Sequence, residues 1–152
     1  MLNQDFKEFA ELPISNRAEY LIVGGYALAA HGHPRYTGDL DFWVGTDVSN
    51  AKRLLNVLKA FGFGALGVGL GDLTANDRVI QLGYSPRRID LLTSIDGVEF
   101  APCYARRMVV PVGGLNLNFI ALADFKTNKR ATGRHKDLAD LEALDGDLPD
   151  PP

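Results

Sequence analysis

The sequence predicts an α+β fold, a small mixed β-sheet flanked by helices, and three observations point there. Two stretches carry apolar residues at helical spacing, one from Ser49 to Gly62 and one through the last third of the chain. Two others, "RVIQLGYSPRRIDLLTSI" and "RMVVPVGGLNLNFIAL", read as hairpins that turn near Ser85-Pro86 and at Gly113-Gly114. Helices and hairpins follow one another without a steady strand-helix-strand alternation, which removes a doubly wound parallel sheet.

In chain order, "NQDFKEFAEL" has helical spacing at Phe6, Phe9 and Ala10, with Pro13 expected to limit the helix. "EYLIVGG" reads as a short buried strand ending at Gly24-Gly25, and "YALAAHG" as a short helix closed by Gly32. "LDFWV" is the next strand. In the clearest helix Ser49 is the expected cap, Ala51, Leu54, Leu55, Leu58 and Phe61 share a face, and Gly62 is the stop. "FGFGALGVGLGD" reads as a loop or irregular strand; it lacks the G-K-[ST] of a phosphate loop. After the hairpins, "ALADFKTNKRATGRHKDLADLEAL" predicts two helices meeting near Gly133. Residues 1–144 are expected to form a single domain and 145–152, rich in Asp, Gly and Pro, a frayed acidic tail.

Composition narrows the class. The apolar and charged fractions of this 152-residue chain are those of a globular protein, which excludes disordered and collagen-like chains. A single cysteine, Cys103, cannot close an intramolecular disulfide and reads as a small buried apolar side chain. The longest uncharged apolar stretch, "YLIVGGYALAAHG", is too short to span a bilayer, and "MLNQDFKEFAEL" does not read as a signal peptide. The expected setting is cytoplasmic, with no membrane partner. A net charge of −3 gives no global pull towards nucleic acid, although Lys126 to Lys136 is locally basic.

The chemistry starts at "GDLDFWV". In a strand, period two places Asp39 and Asp41 on one face, with Leu40 and Phe42 on the other. Like charges so placed repel, so something positive belongs beside them. A divalent cation is one answer, because Mg²⁺ takes carboxylate oxygens and brings phosphates with it. A pair of solvated acids at a loop-to-strand junction, or partners of nearby Arg35, is the other. Asp90 adds weight: it interrupts the apolar run of "RRIDLLT", and buried acids are rare unless paired or on a metal. If its strand lies beside that of Asp39 and Asp41, three carboxylates converge and suit a two-metal clamp for phosphoryl chemistry. Gly24-Gly25, just before a helix, would let backbone approach a phosphate, though a tight strand-helix turn explains the pair as well.

These residues together resemble the nucleotidyltransferase superfamily that includes DNA polymerase β. The shared pattern is "LIVGG", the helix "YALAAHG", "DLD" on a strand and "RIDLL" on a later one. The chain is further similar to small bacterial members related to AbiEii-type toxins of type IV toxin-antitoxin systems. That likeness rests on His31, Gly32, Pro34, Arg35, Thr37, Asp39 and Asp41, then Lys129, Arg134, Lys136, Asp137, Asp140 and Leu141.

The resemblance implies a nucleotidyltransferase-like fold and transfer of a nucleoside monophosphate from an NTP to a hydroxyl. It implies Mg²⁺ or Mn²⁺ on Asp39, Asp41 and Asp90, with Asp90 as base or orienter. It places Gly24, Gly25, Lys129, Arg35 and Arg134 around the phosphates. RNA or tRNA, a protein or a small molecule remain open as acceptors, and an antitoxin as a partner. The alternative is a non-catalytic nucleotide-binding or regulatory module of such a system. Gly25 stands where Ser is common, so backbone N–H would replace a hydroxyl contact.

The remaining candidates read as structure. Lys126, Arg130 and Lys136 suit a solvated helix face, and Asp137 and Asp140 suit pairing with Arg134 or Lys136. His31 suits a backbone hydrogen bond, and Trp43 the core.

Overall fold

The computed structural model describes residues 3–33, 38–62, 67–83 and 88–146. Among them six strands form one mixed sheet: β1 (Tyr20–Val23), β2 (Leu40–Val44), β3 (Val79–Leu82), β4 (Ile89–Leu92), β5 (Met108–Val112) and β6 (Leu115–Phe119). Their order is β3-β4-β2-β1-β6-β5. β2 runs antiparallel to β1 and parallel to β4, while β6 runs parallel to β1. β3–β4 and β5–β6 are the two predicted hairpin pairs. The second turns at Gly113 and Gly114, both at positive φ; the turn at Ser85-Pro86 lies outside the described residues.

The helices are α1 (Gln4–Ser15), α2 (Gly24–Ala30), α3 (Val48–Ala60), α4 (Leu70–Thr74), α5 (Phe100–Ala105), α6 (Leu122–Thr132) and α7 (His135–Gly146). They cover both faces of the sheet, and β2 shows how. Phe42 meets Phe9 of α1 and Tyr20 of β1 edge-on at 5.3 and 5.2 Å, while Phe9 also meets Phe61, at the end of α3, at 5.0 Å. Its neighbour Trp43 faces the other way and meets Phe100 of α5 edge-on at 5.2 Å. With Phe9, Phe42 and Trp43 buried, each such side chain contributes about 1.5–3 kcal/mol of burial. Among the described residues no helix is long and apolar enough to cross a membrane.

Several boundaries differ from the sequence expectation. α1 runs through Pro13 to Ser15, because Phe6, Phe9, Ala10 and Pro13 make one buried stripe that offsets a lost hydrogen bond near the helix end. Asp47, not Ser49, caps α3: its Oδ1 accepts from the Asn50 N–H at 2.8 Å. The Gly-rich stretch contains α4, and α5, which lacks an obvious period, went unpredicted. α6 ends as expected at Gly133, in the left-handed region with φ 64°. α7 continues to Gly146, past Leu144.

Buried polar residues tie these pieces together. Asn50 accepts from the Glu19 N–H at 2.7 Å and donates to the carbonyls of Glu19 and Gly45, which fixes α3 to the sheet rim. His31 Nε2 lies 2.8 Å from the Ile120 carbonyl oxygen, the backbone bond expected of it. Cys103 is buried, and that burial pushes its thiol up to about 11.

Candidate active site

β2 and β4 run side by side with Asp41 in register with Asp90, and Asp39 immediately precedes β2, so the strands that carry the three acids are neighbours. The same register places Val23 beside Asp41, and the chain turns from Val23 straight into α2. Gly24 is therefore the first residue of α2, not the end of a strand. It adopts φ +71°, and a β-carbon there would run into the Asp41 carboxylate. Only glycine gives both the left-handed backbone and that close approach.

Two of the three carboxylates meet a cation that the sequence reading missed. Arg88 Nε donates to Asp90 Oδ1 at 2.7 Å and Nη2 to Asp90 Oδ2 at 3.1 Å, a two-pronged pair. Nη2 also lies 3.2 Å from Asp39 Oδ2, and the Arg88 N–H donates to Asp39 Oδ1 at 3.2 Å. Asp41 has no such partner among the described residues. Burial, then the charges of Asp90 and Asp39, push its carboxyl up to about 6, against a smaller opposing pull from Lys136.

The donor set suits a hard divalent cation: carboxylate oxygens only, on β4, on β2 and on the residue before β2, with more negative charge than Arg88 neutralises. As the side chains stand, no described group of three or more His, Cys, Asp or Glu is gathered into a metal cage. Asp39 and Asp90 face Arg88 instead.

Opposite Asp41 stands the α6–α7 pair. Lys129, on α6, is 4% exposed; its Nζ lies 3.1 Å from Asp137 Oδ1 and 3.4 Å from Asp140 Oδ2. Arg134 donates from Nε to Asp137 Oδ2 at 2.7 Å. Burial alone would raise Asp137, but hydrogen bonds from Arg134, Thr132 and Lys129 reverse this and hold its carboxyl well below the usual range. The expected pairing of Asp137 with Arg134 is present, and Lys129 rather than Lys136 is the second cation. Lys126, expected on a solvated face, is largely covered and pairs with Asp145 at 3.0 Å.

A cavity of about 370 Å³ joins the two sides, lined by Gly24, Asp41, Asp96, Asn128, Lys129 and Arg134 among others. Of the sequence candidates it brings together Gly24, Asp41, Lys129 and Arg134. Asp39 and Asp90 adjoin Asp41 but are not among its lining residues, and neither is Gly25. Arg35 lies outside the described residues. Arg88 had a signal: two residues before Asp90, period two puts both on one face.

No protein-family model matches the sequence, and no curated protein matches it. The fold is similar to the crystal structure of a "putative nucleotidyltransferase" from Thermotoga maritima. The TM-score is 0.62 over 94% of this chain and 91% of that one, at 12% identity. The backbone plan is shared: a six-stranded mixed sheet flanked by helices, the nucleotidyltransferase-like fold that the sequence predicts.

Proposed function

We propose that this protein is a divalent-metal-dependent nucleotidyltransferase that moves a nucleoside monophosphate from an NTP to a hydroxyl acceptor and releases pyrophosphate. The observation that carries the reading is the surplus of carboxylate at Asp39, Asp41 and Asp90 beside a cavity walled by Gly24, Lys129 and Arg134. The Thermotoga maritima protein's own description agrees with it.

The charge count explains the metal requirement. Among the described residues, the ionisable ones lining the cavity are Asp41, Asp96, Lys129 and Arg134, which sum to zero. A triphosphate carries several negative charges, so the cations that neutralise it must arrive with it. Asp39, Asp41 and Asp90 would hold Mg²⁺ or Mn²⁺, which when bound screens the triphosphate and the leaving pyrophosphate.

The chain's own groups do the rest. Gly24 lets the first turn of α2 approach phosphate oxygens closely. Arg134, with an exposed side chain at the cavity wall, contacts the outer phosphates, while Lys129, tied to Asp137 and Asp140, fixes that wall. The acceptor's hydroxyl oxygen bonds to the α-phosphorus, the bond from that phosphorus to the pyrophosphate oxygen breaks, and the hydroxyl proton passes to Asp90. The rival reading, nucleotide binding without chemistry, draws on the internal pairing of Arg88 with Asp39 and Asp90.

Label transfer separates the two. α-³²P-labelled NTPs with Mg²⁺ are offered with total RNA, protein and small-molecule extracts, to wild type and to Asp39→Asn/Asp41→Asn. Label entering one fraction, and absent with the double variant, is the expected result. Metal-dependent NTP binding with no transfer to any fraction would favour the binding module instead.

A further inference from the structure

The segment after β4, Ser94 to Asp96, forms part of the wall of the nucleotide cavity. Two contacts lock it onto α6. Asn128 Nδ2 donates to the Asp96 backbone carbonyl at 2.9 Å. Gly97, at φ +81°, packs so closely that a β-carbon there would run into the Ala131 side chain.

The first contact fixes what the wall offers. A carbonyl oxygen only accepts, so the Asn128 amide turns its NH₂ to Asp96 and keeps Oδ1 as an acceptor. Asp96 adds an exposed carboxylate, which makes no hydrogen bond among the described residues. Arg134 feels the charge of Asp96, but its guanidinium donates to Asp137. The neighbouring hydroxyls are committed: Ser94 donates to Asp77 Oδ1, and Thr132 to the Lys129 carbonyl. This part of the wall therefore presents acceptors.

Sheet order decides which end of an NTP meets them. β2, with Asp41, lies between β1 and β4. Gly24 follows β1 and Asp96 follows β4, so the two flank Asp41 on opposite sides. With the α-phosphate at Asp41 and the outer phosphates towards Gly24, the nucleoside lies over the segment after β4. Leu92 and Ile95, half-buried in the cavity wall, give the base an apolar face there.

We infer that Asp96 and Asn128 hold the ribose of the incoming NTP through its 2′- and 3′-hydroxyls, and so select ribonucleotides over 2′-deoxyribonucleotides whatever the base. Both roles rest on the transferase reading of this cavity. The ribose hydroxyls are donors that every NTP brings, and a carboxylate is a fitting partner for them. Base edges match less well. Each sets acceptors beside its donors, and an acceptor-only wall leaves those acceptors facing like polarity.

The test compares dissociation constants in Mg²⁺ for the four NTPs and their 2′-deoxy counterparts, with wild type, Asp96→Ala and Asn128→Ala. Asp96→Ala keeps the backbone carbonyl that Asn128 grips, so the segment stays in place. Wild type should bind each ribonucleotide it accepts about tenfold more tightly than the 2′-deoxy form, as one hydrogen bond to a charged group allows. In Asp96→Ala that ratio should fall to about one, and in Asn128→Ala, where a neutral acceptor is lost, by about threefold. Removing a negative charge beside a triphosphate shifts both forms alike, so the ratio isolates the hydroxyl. Retained binding of the 2′-deoxy forms shows that the variants are folded.

Equal affinity of wild type for ribo and 2′-deoxy forms, or a ratio that survives Asp96→Ala, overturns the ribose role. So does a preference for one base that persists in its 2′-deoxy form and vanishes in Asp96→Ala, which would assign Asp96 to a base edge. Metal-dependent binding without a ribose preference sinks the ribose role alone. No metal-dependent binding of any nucleotide sinks the transferase reading, and the ribose role with it.

Discussion

Asp41 and Lys129 line the same cavity, yet the charge clusters they belong to are built on opposite rules. Where α6 meets α7, Lys129 and Arg134 face Asp137 and Asp140, two cations against two acids, and Asp137 is held ionised far below its ordinary range. At the head of β2 and β4, Arg88 pairs with two of three acids, Asp39 and Asp90, and the third, Asp41, is driven up to about 6. The balanced set closes on itself and holds two helices together. The unbalanced set leaves negative charge that folding does not need, and on the proposed function that surplus is where a cation carried in with substrate would sit.

The largest expected effect breaks the unbalanced side. Asp41→Asn should lower label transfer by about 10³-fold, as loss of a group that acts on developing phosphoryl charge commonly does. Fold and Trp43 fluorescence should be unchanged.

Breaking the balanced side should cost stability. Asp137→Ala leaves Lys129 buried opposite a partial complement of charge, at a cost of about 3–5 kcal/mol in urea unfolding. A loss under about 1 kcal/mol would mean that Asp140, rather than Asp137, balances Lys129.

Next in size is a pH effect with opposite signs in the two clusters. The folded pKa of Asp41 is raised, so the folded state binds its proton more tightly than the unfolded chain, and stability falls as pH rises from about 4 to about 6. Asp137 is depressed, so its contribution is present above about pH 4 and is lost only as acid takes it below its ordinary range. Metal-free Asp41→Asn should therefore be more stable than wild type by about 1–2 kcal/mol at pH 7.5, a figure that allows for partial exposure of the site. Near pH 4 the two proteins should unfold at the same urea concentration.

The smallest effect sharpens the role of Arg88. Arg88→Gln removes the resident cation, so Mg²⁺ should raise the melting temperature at several-fold lower concentration than in wild type. An unchanged Mg²⁺ midpoint would show that the guanidinium does not compete for those carboxylates.

Much of this was legible from residue type and period. Asp39 and Asp41 on one strand face, and Asp90 inside "RIDLL", announce themselves because an acid is costly in an apolar strand. The two hairpins, α3 and the break at Gly133 follow from turn chemistry and helical spacing. What escaped did so for physical reasons. α4 and α5 span five and six residues, too few turns for a periodic signal. Arg88 stands just after the expected turn at Ser85-Pro86, and the period two that aligns it with Asp90 gains meaning only once β4 is placed. The pairing of Arg134 with Asp137 follows from helical spacing, but the partners of Lys129 were set by how α6 and α7 pack, a tertiary fact. Asp47 and Ser49 are both competent caps, and the hydrogen bond to Asn50 decides between them.

On the proposed function, the surplus acids bind a metal-borne triphosphate. Its most direct test is equilibrium binding of each of the four labelled NTPs to wild type and Asp41→Asn, with and without Mg²⁺ at pH 7.5. Wild type should bind at least one NTP only when Mg²⁺ is present, and Asp41→Asn should not bind it. Binding that ignores the metal, or that survives in Asp41→Asn, would contradict it.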